Sequence, residues 1–494
     1  MKDFDSMERQ EGVAAQSLIA TNSSFGKHRR AHSAGNRVHA AGNRLSRTRS
    51  RLDNIPILRA TAVLSFIDVL HFRAAGVDFR IYYPLTLMLV VANFPEVLRE
   101  LGGTRLGRAL TLFTLITGAT LLWTISLPDT ESVVVGQVYL LLLFATFAAE
   151  FRRGTIIPSD VLRWIGWGAS LSSVAAILEF VASYGGSHVQ IFNVVGIPWH
   201  RPAGLMTEPD WAGLVAAVGV VAVFYGPRTA RLRRTFLAAN LMVVLLAGVR
   251  DVWLSSLVLL VILGVTSRSS RRAVKKVLPL LGVAVLGIGL YAFHDPHALS
   301  RLDPAAVLSA SGAGDSGSTH SREAVINFVT TNIGPRFLQG YGAGSLAYET
   351  QLPVVQAEYG GAVGAGLNTG HGSTNLLLTT LWDSGVAGLL AILFLIKQWL
   401  GAARRLSRET PWLLWLSGLF LLDFQINDGF RFAFVWIVLA CCTYGEIQAS
   451  NERAGTHRAS RRPAFPMQET GDTSPTESWR LPGVVVNRIG RGPF

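Results

Sequence analysis

The chain has 494 residues, 50% hydrophobic and only 16% charged, against about 25% charged in an ordinary soluble protein. That balance excludes a soluble globular enzyme, and the apolar residues come in blocks close to bilayer length rather than in amphipathic stripes. The formal net charge of +13 does not point to nucleic acid, because the Arg and Lys stand between apolar runs, where they orient helices and meet anionic lipid. The expected fold is all-α, a polytopic integral membrane protein with about 12 transmembrane helices and one large periplasmic loop between the ninth and tenth.

Residues 1–52 are polar and basic, with no charged start running directly into an apolar core, so a cleavable leader is not expected. They read as a disordered cytoplasmic tail. The membrane domain is expected over 53–446, with its periplasmic loop at about 294–374. Residues 447–494, rich in Pro, Ser, Arg and Thr, read as a second disordered cytoplasmic tail. The apolar runs lie at roughly 55–72, 81–97, 109–127, 133–149, 161–184, 211–225, 236–249, 252–265, 277–293, 375–400, 411–424 and 432–444.

Loop charge orients them. With the N-terminus inside, the inner loops carry Arg99, Arg105 and Arg108; Arg152 and Arg153; Arg228, Arg231, Arg233 and Arg234; Arg268, Arg271, Arg272, Lys275 and Lys276; and Arg404, Arg405 and Arg408. An outer connection such as Pro128-Asp129-Thr130-Glu131 carries none. This is the positive-inside pattern, with both termini cytoplasmic and the long loop outside. Cys441 and Cys442 are adjacent on one apolar run, where neighbours do not face each other, so neither a disulfide nor a Cys-based metal site follows.

The polar groups of the outer face suggest chemistry. Arg201 precedes Pro202-Ala203-Gly204-Leu205-Met206-Thr207-Glu208-Pro209-Asp210, and Arg250 sits in the short turn Gly248-Val249-Arg250-Asp251. Arg322 and His371 lie in the long loop. Arginine is permanently charged and presents a planar fork matched to phosphate oxygens, and at a helix end it can hold a lipid-linked diphosphate. A histidine near neutral pH can accept a proton from an attacking hydroxyl. Arginines plus one histidine, with no evident cluster of metal ligands, suit displacement of a diphosphate by a sugar hydroxyl with no metal and no cofactor.

Each residue also has a structural reading. Arg201 can close a loop, Arg250 can pair with Asp251, and Arg322 can be a solvated charge at the start of a short surface helix over 323–328. His371 lies in a Gly-rich stretch that tolerates any polar residue. Glu208 and Asp210 flank a proline where acidic residues cap backbone N–H groups, and Asp423 and Asp428 can pair with Arg431. His188, His200 and His320 read as ordinary loop residues.

Three pieces together resemble the O-antigen ligase and polymerase superfamily of bacterial inner-membrane glycosyltransferases, over roughly 80–445. The first is the segment from Arg201 to Asp210, like the family's Arg-x-x-Gly stretch with a Pro-Asn or Pro-Asp before the next helix. The second is Gly248-Val249-Arg250-Asp251-Val252-Trp253. The third is the long outer loop, with Arg322, then Phe337-Leu338-Gln339-Gly340-Tyr341-Gly342-Ala343-Gly344, ending in a polar motif before 376–388.

The resemblance implies an enzyme that takes a glycan from undecaprenyl diphosphate on the periplasmic face. It passes the glycan to another glycan or to a lipid A-core acceptor. It implies that Arg201, Arg250 and Arg322 hold the diphosphate, with Arg322 and His371 catalytic. The family's histidine is spaced from a Gly-x-x-Gly, here Gly385-Val386-Ala387-Gly388; that spacing lands on Thr374-Asn375, and His371 stands three residues earlier. The competing class is a transporter or flippase of lipid-linked saccharides, which would place charged groups near the midplane and show two similar halves.

Overall fold

The computed structural model describes residues 54–74, 77–184, 202–226, 229–266, 316–359, 375–425 and 429–460. The chain divides into two units, Met1–Gln448 and Ala449–Phe494. The first is mostly helical. Among the described residues four helices are long and apolar enough to cross a membrane: Leu127–Arg153, Pro158–Ala182, Leu376–Leu406 and Ala433–Arg453. Shorter apolar helices occupy Asn54–Leu64, Tyr82–Ala92, Pro209–Tyr225, Val252–Ile262 and Pro411–Asp423. The expected run at 277–293, both ends of the long loop and most of both tails lie outside the described residues.

In chain order, α1 (Asn54–Leu64) leads to a hairpin of β1 (His71–Ala74) and β2 (Val77–Arg80). The strands are antiparallel, with Phe72 opposite Phe79. The expected first run at 55–72 is therefore helix only to Leu64; residues 65–70 form turns and the last two enter the hairpin. Its apolar content is real, but His71-Phe72-Arg73-Ala74 alternates with a period of two. The expected second run is two helices, α2 (Tyr82–Ala92) and α3 (Phe94–Gly103), which meet at Asn93 with Pro95 in the opening turn of α3.

The helices α4 (Arg105–Ala119) and α5 (Leu127–Arg153) follow. The Thr104 hydroxyl caps α4 by accepting from the Gly107 amide at 3.0 Å. Gly154, left-handed at φ 68°, ends α5. Next come α6 (Pro158–Tyr184), α7 (Pro209–Tyr225), α8 (Ala230–Leu246) and α9 (Arg250–Thr266). Several helices run past their apolar cores and take in arginines expected in loops, Arg152 and Arg153 in the last turn of α5 among them. Arginine is a good helix former, and its long stem lets the charge leave the apolar layer.

The outer segment forms α10 (Ser316–Asn332), α11 (Ser345–Thr350) and α12 (Pro353–Tyr359). The expected surface helix at 323–328 is longer and docked: Ala324, Val325, Phe328 and Val329 are buried against Trp382 and its neighbours. The remaining helices are α13 (Leu376–Leu406), α14 (Pro411–Asp423), α15 (Ala433–Cys442) and α16 (Tyr444–Ser460). Every residue of α15 is buried, both cysteines included. An apolar surface all round marks it as the helix the others pack against. Phe434 on α15 stacks on Phe66 with centroids 4.8 Å apart and lies 5.8 Å from Phe420 of α14.

At one end of the bundle, α3 and α5 are tied by a buried ionic network. Arg152 grips Glu100 through two nitrogens, the second at 2.9 Å, and Glu100 is 0% exposed. Glu150 accepts from Asn54, Asn93 and Arg153 at 3.3, 3.3 and 3.1 Å. Arg153 also pairs with Glu96 at 2.8 Å. Each buried charge thus has an opposite partner, without which it would be severely destabilising. Arginines that the sequence offers as orientation signals also hold helices together.

Candidate functional site

At the other end the helix starts converge. Trp211, in the first turn of α7, meets Phe432 at 4.6 Å. A Cβ on Gly213 of α7 would touch Val249 at 2.6 Å, one residue before Arg250 opens α9. The Leu376 amide at the start of α13 donates to the Phe424 carbonyl at 2.8 Å. Asn375 caps α13 through the Leu377 and Leu378 amides and donates to the Gln425 carbonyl at 2.9 Å. Helix N-termini carry partial positive charge and unpaired N–H groups, which suits an anionic ligand.

The turn before α7 is gripped from two sides. The Glu179 carboxylate of α6 accepts from the Ala203 and Gly204 amides at 3.1 and 2.7 Å. Gly204 is left-handed at φ 62°, and a Cβ there would meet the Ser172 carbonyl oxygen at 2.6 Å, so only glycine fits. On the opposite side the Asp68 and Val69 amides donate to the Leu205 carbonyl at 2.8 and 3.2 Å. The Thr207 hydroxyl donates to Asp68 at 2.9 Å, and Arg80 pairs with Asp68 at 2.7 Å. Asp68 is 3% exposed and Arg80 14%. The Arg80 guanidinium lies 5.8 Å from the Phe432 ring centre. Burial opposes its charge, and Asp68, with Tyr82 and Tyr83, outweighs burial and raises its pKa.

A second built feature joins the outer segment to α13. That helix breaks at Gly385, where φ 62° and ψ −159° lie in a region open essentially to glycine alone. The freed backbone pairs with the strap 337–342. Tyr341 and Gly342 amides donate to the Trp382 and Asp383 carbonyls at 2.8 and 3.0 Å, and the Val386 amide donates to the Phe337 carbonyl at 3.0 Å. On its far side the strap meets α5 and the turn before it. The Ile125 amide donates to the Tyr341 carbonyl at 3.1 Å, the Thr130 hydroxyl to the Ala343 carbonyl at 2.7 Å, and Arg336 to the Trp123 carbonyl at 3.1 Å. Tyr341 stacks on Trp382 at 4.2 Å, with Arg336 5.2 Å from the Tyr341 ring.

Arg201 and His371 lie outside the described residues, as do His188, His200 and Asp428. Arg250 is the first residue of α9, and Arg322 lies on α10, whose docked face begins two residues later; neither side chain is among those described. His320 is on the same helix. Glu208 stands at the N-cap of α7 but makes no side-chain capping bond, and Pro209 follows it. Asp423, at the end of α14, is fully buried, and Arg431 sits in a 3-10 turn. Sequence reasoning missed Asp68, Arg80 and Glu179. The signal was present: Asp68 and Glu179 fall inside apolar runs, where an ionisable residue is a functional candidate by default.

Among the described residues no cluster of three His, Cys, Asp or Glu could hold a metal ion. Comparison with known proteins adds no family: no family model matches the chain, and no curated protein matches it.

Proposed function

We propose that the protein is a bacterial inner-membrane glycosyltransferase of the O-antigen ligase and polymerase type. It acts on undecaprenyl-diphosphate-linked glycan at the periplasmic face. The acceptor hydroxyl oxygen attacks the anomeric carbon, the bond to the diphosphate breaks, and undecaprenyl diphosphate leaves with the bonding pair. The hydroxyl proton passes to a base, a role for His371. Arg201, Arg250 and Arg322 hold the diphosphate and offset the charge that grows on it. The chemistry needs no metal or nucleotide sugar, and the acceptor is a second lipid-linked repeat or a lipid A-core.

The observation that carries this reading is the gathering of helix starts at one end of the bundle. The turn after Arg201, the first residue of α9 and the cap of α13 all meet there. These are the segments that resemble the family's motifs, and their N-terminal dipoles suit a diphosphate.

The broken helix α13 favours the competing transporter reading, since discontinuous helices form binding sites in such proteins. Here, however, the break is occupied by backbone from the strap. One cavity among the described residues, of about 140 Å³ between α7, α8, α9 and α14, is lined by side chains such as Phe224, Leu241, Leu259 and Leu260. That lining suits hydrocarbon rather than a sugar path.

Deleting the gene separates the two readings. The transferase reading expects surface glycan to disappear and the lipid-linked oligosaccharide to accumulate in the outer leaflet, open to periodate in spheroplasts. Accumulation confined to the inner leaflet would support the transporter instead.

A further inference from the structure

Two carboxylates, Asp68 buried and Glu179 half-buried, close one six-residue turn, although neutral side chains or backbone would serve that purpose. Burying a carboxylate is costly unless it is used. Glu179 reaches the turn from α6 and takes two successive amides on one oxygen. Asp68 reaches it from beyond α1, takes the Thr207 hydroxyl, and is held in turn by Arg80. The turn is itself packed tightly: Pro202, Ala203, Gly204 and Met206 are buried. Its backbone therefore has almost no freedom of its own.

We propose that Glu179 and Asp68 are positioning residues, whose carboxylates grip the 202–207 turn from opposite sides and so fix the backbone to which Arg201 is bonded. This role rests on the transferase reading above. Glu179 and Asp68 touch no substrate. They act through Arg201, and Arg80 acts one step further out by holding Asp68. The charge-assisted N–H bonds to Glu179 are of the stronger kind, and a binding residue attached to a fixed backbone has less conformational freedom to lose when a ligand is bound.

The test is a double-mutant cycle read by affinity. Undecaprenyl diphosphate is titrated into the purified full chain in lipid nanodiscs, with thermal melting as the check on folding. Glu179→Ala is expected to weaken binding about tenfold, the size of one lost charge-assisted network. Glu179→Gln, which keeps a carbonyl acceptor for both amides, should stay within about threefold of the parent. In the Arg201→Ala background, Glu179→Ala should cost nothing further, because residues acting as one unit are not additive. Where Glu179→Ala does not fold, Thr207→Val, which removes only the hydroxyl on Asp68, completes the same cycle. Additive losses, or full affinity in a folded Glu179→Ala protein, would overturn the positioning role and leave the transferase reading standing. An unaltered chain that binds no undecaprenyl diphosphate would bring down the transferase reading itself, and the positioning role with it.

Discussion

Gly385→Ala is expected to destabilise the protein by about 3 kcal/mol or more. The backbone there adopts φ 62° and ψ −159°, which no L side chain occupies without strain. An added Cβ would also run into the Leu338 carbonyl group and sit 2.7 Å from the Gln339 nitrogen. All of these are backbone atoms, so no side chain can swing aside. The strap and the helix would have to part, which exposes the Trp382 and Asp383 carbonyls and the Val386 amide that now pair with it. Detergent-solubilised protein should show a lower melting temperature and less monodisperse material. Gly388→Ala is the comparison: its Cβ would meet the Ser384 side chain within one helix rather than a second backbone, so a smaller loss is expected. Equal behaviour of the two variants would mean that the break at Gly385 is not structural.

The second large effect concerns the arginines. Alanine at Arg201, Arg250 or Arg322 should each lower glycan transfer by on the order of 10²–10³, the cost of removing one donor aimed at transition-state charge. Lysine at the same positions keeps the charge but loses the bidentate fork, and should restore part of the activity. The measurement is surface glycan in a deletion strain complemented at matched protein levels. Full activity in all three alanine variants would remove the proposed diphosphate grip.

Much of the helical architecture was legible because a lipid-facing or core helix must be apolar along its length, as in α14 and α15. Less was legible where two periods overlapped. Residues 55–72 are apolar enough for one helix, yet the last two already belong to a strand, and composition alone does not mark where the helix ends and the turns before the hairpin begin. Gly385-Val386-Ala387-Gly388 falls inside the expected apolar run at 375–400 and reads there only as the marker for the family's histidine spacing. Its first glycine instead breaks α13, and the reason lies 45 residues upstream, in the strap at Gly340 whose Cβ would meet Asp383. Long-range pairing of this kind leaves no local trace.

The candidate site shows in the sequence by residue type and not by what supports it. Arg201 and Arg250 stand out as cations beside apolar runs. The turn that follows Arg201 depends on Asp68, Arg80 and Glu179, which come from α6 and the chain after α1 and look in isolation like interruptions of the apolar pattern. The partners of Arg152 and Arg153 were hidden for the same reason. Glu100 and Glu150 lie just beyond the ends of apolar runs, and only the packing of α3 against α5 brings them to those arginines.

Glycan transfer is measured directly with the purified full chain in lipid vesicles, supplied with undecaprenyl-diphosphate-linked oligosaccharide from the host and with excess EDTA. Two acceptors are tried, the same lipid-linked oligosaccharide and lipid A-core. Free undecaprenyl diphosphate is expected to appear in step with a longer or newly attached glycan, at a rate EDTA does not change. Intact donor with either acceptor, or activity that EDTA abolishes, would contradict it.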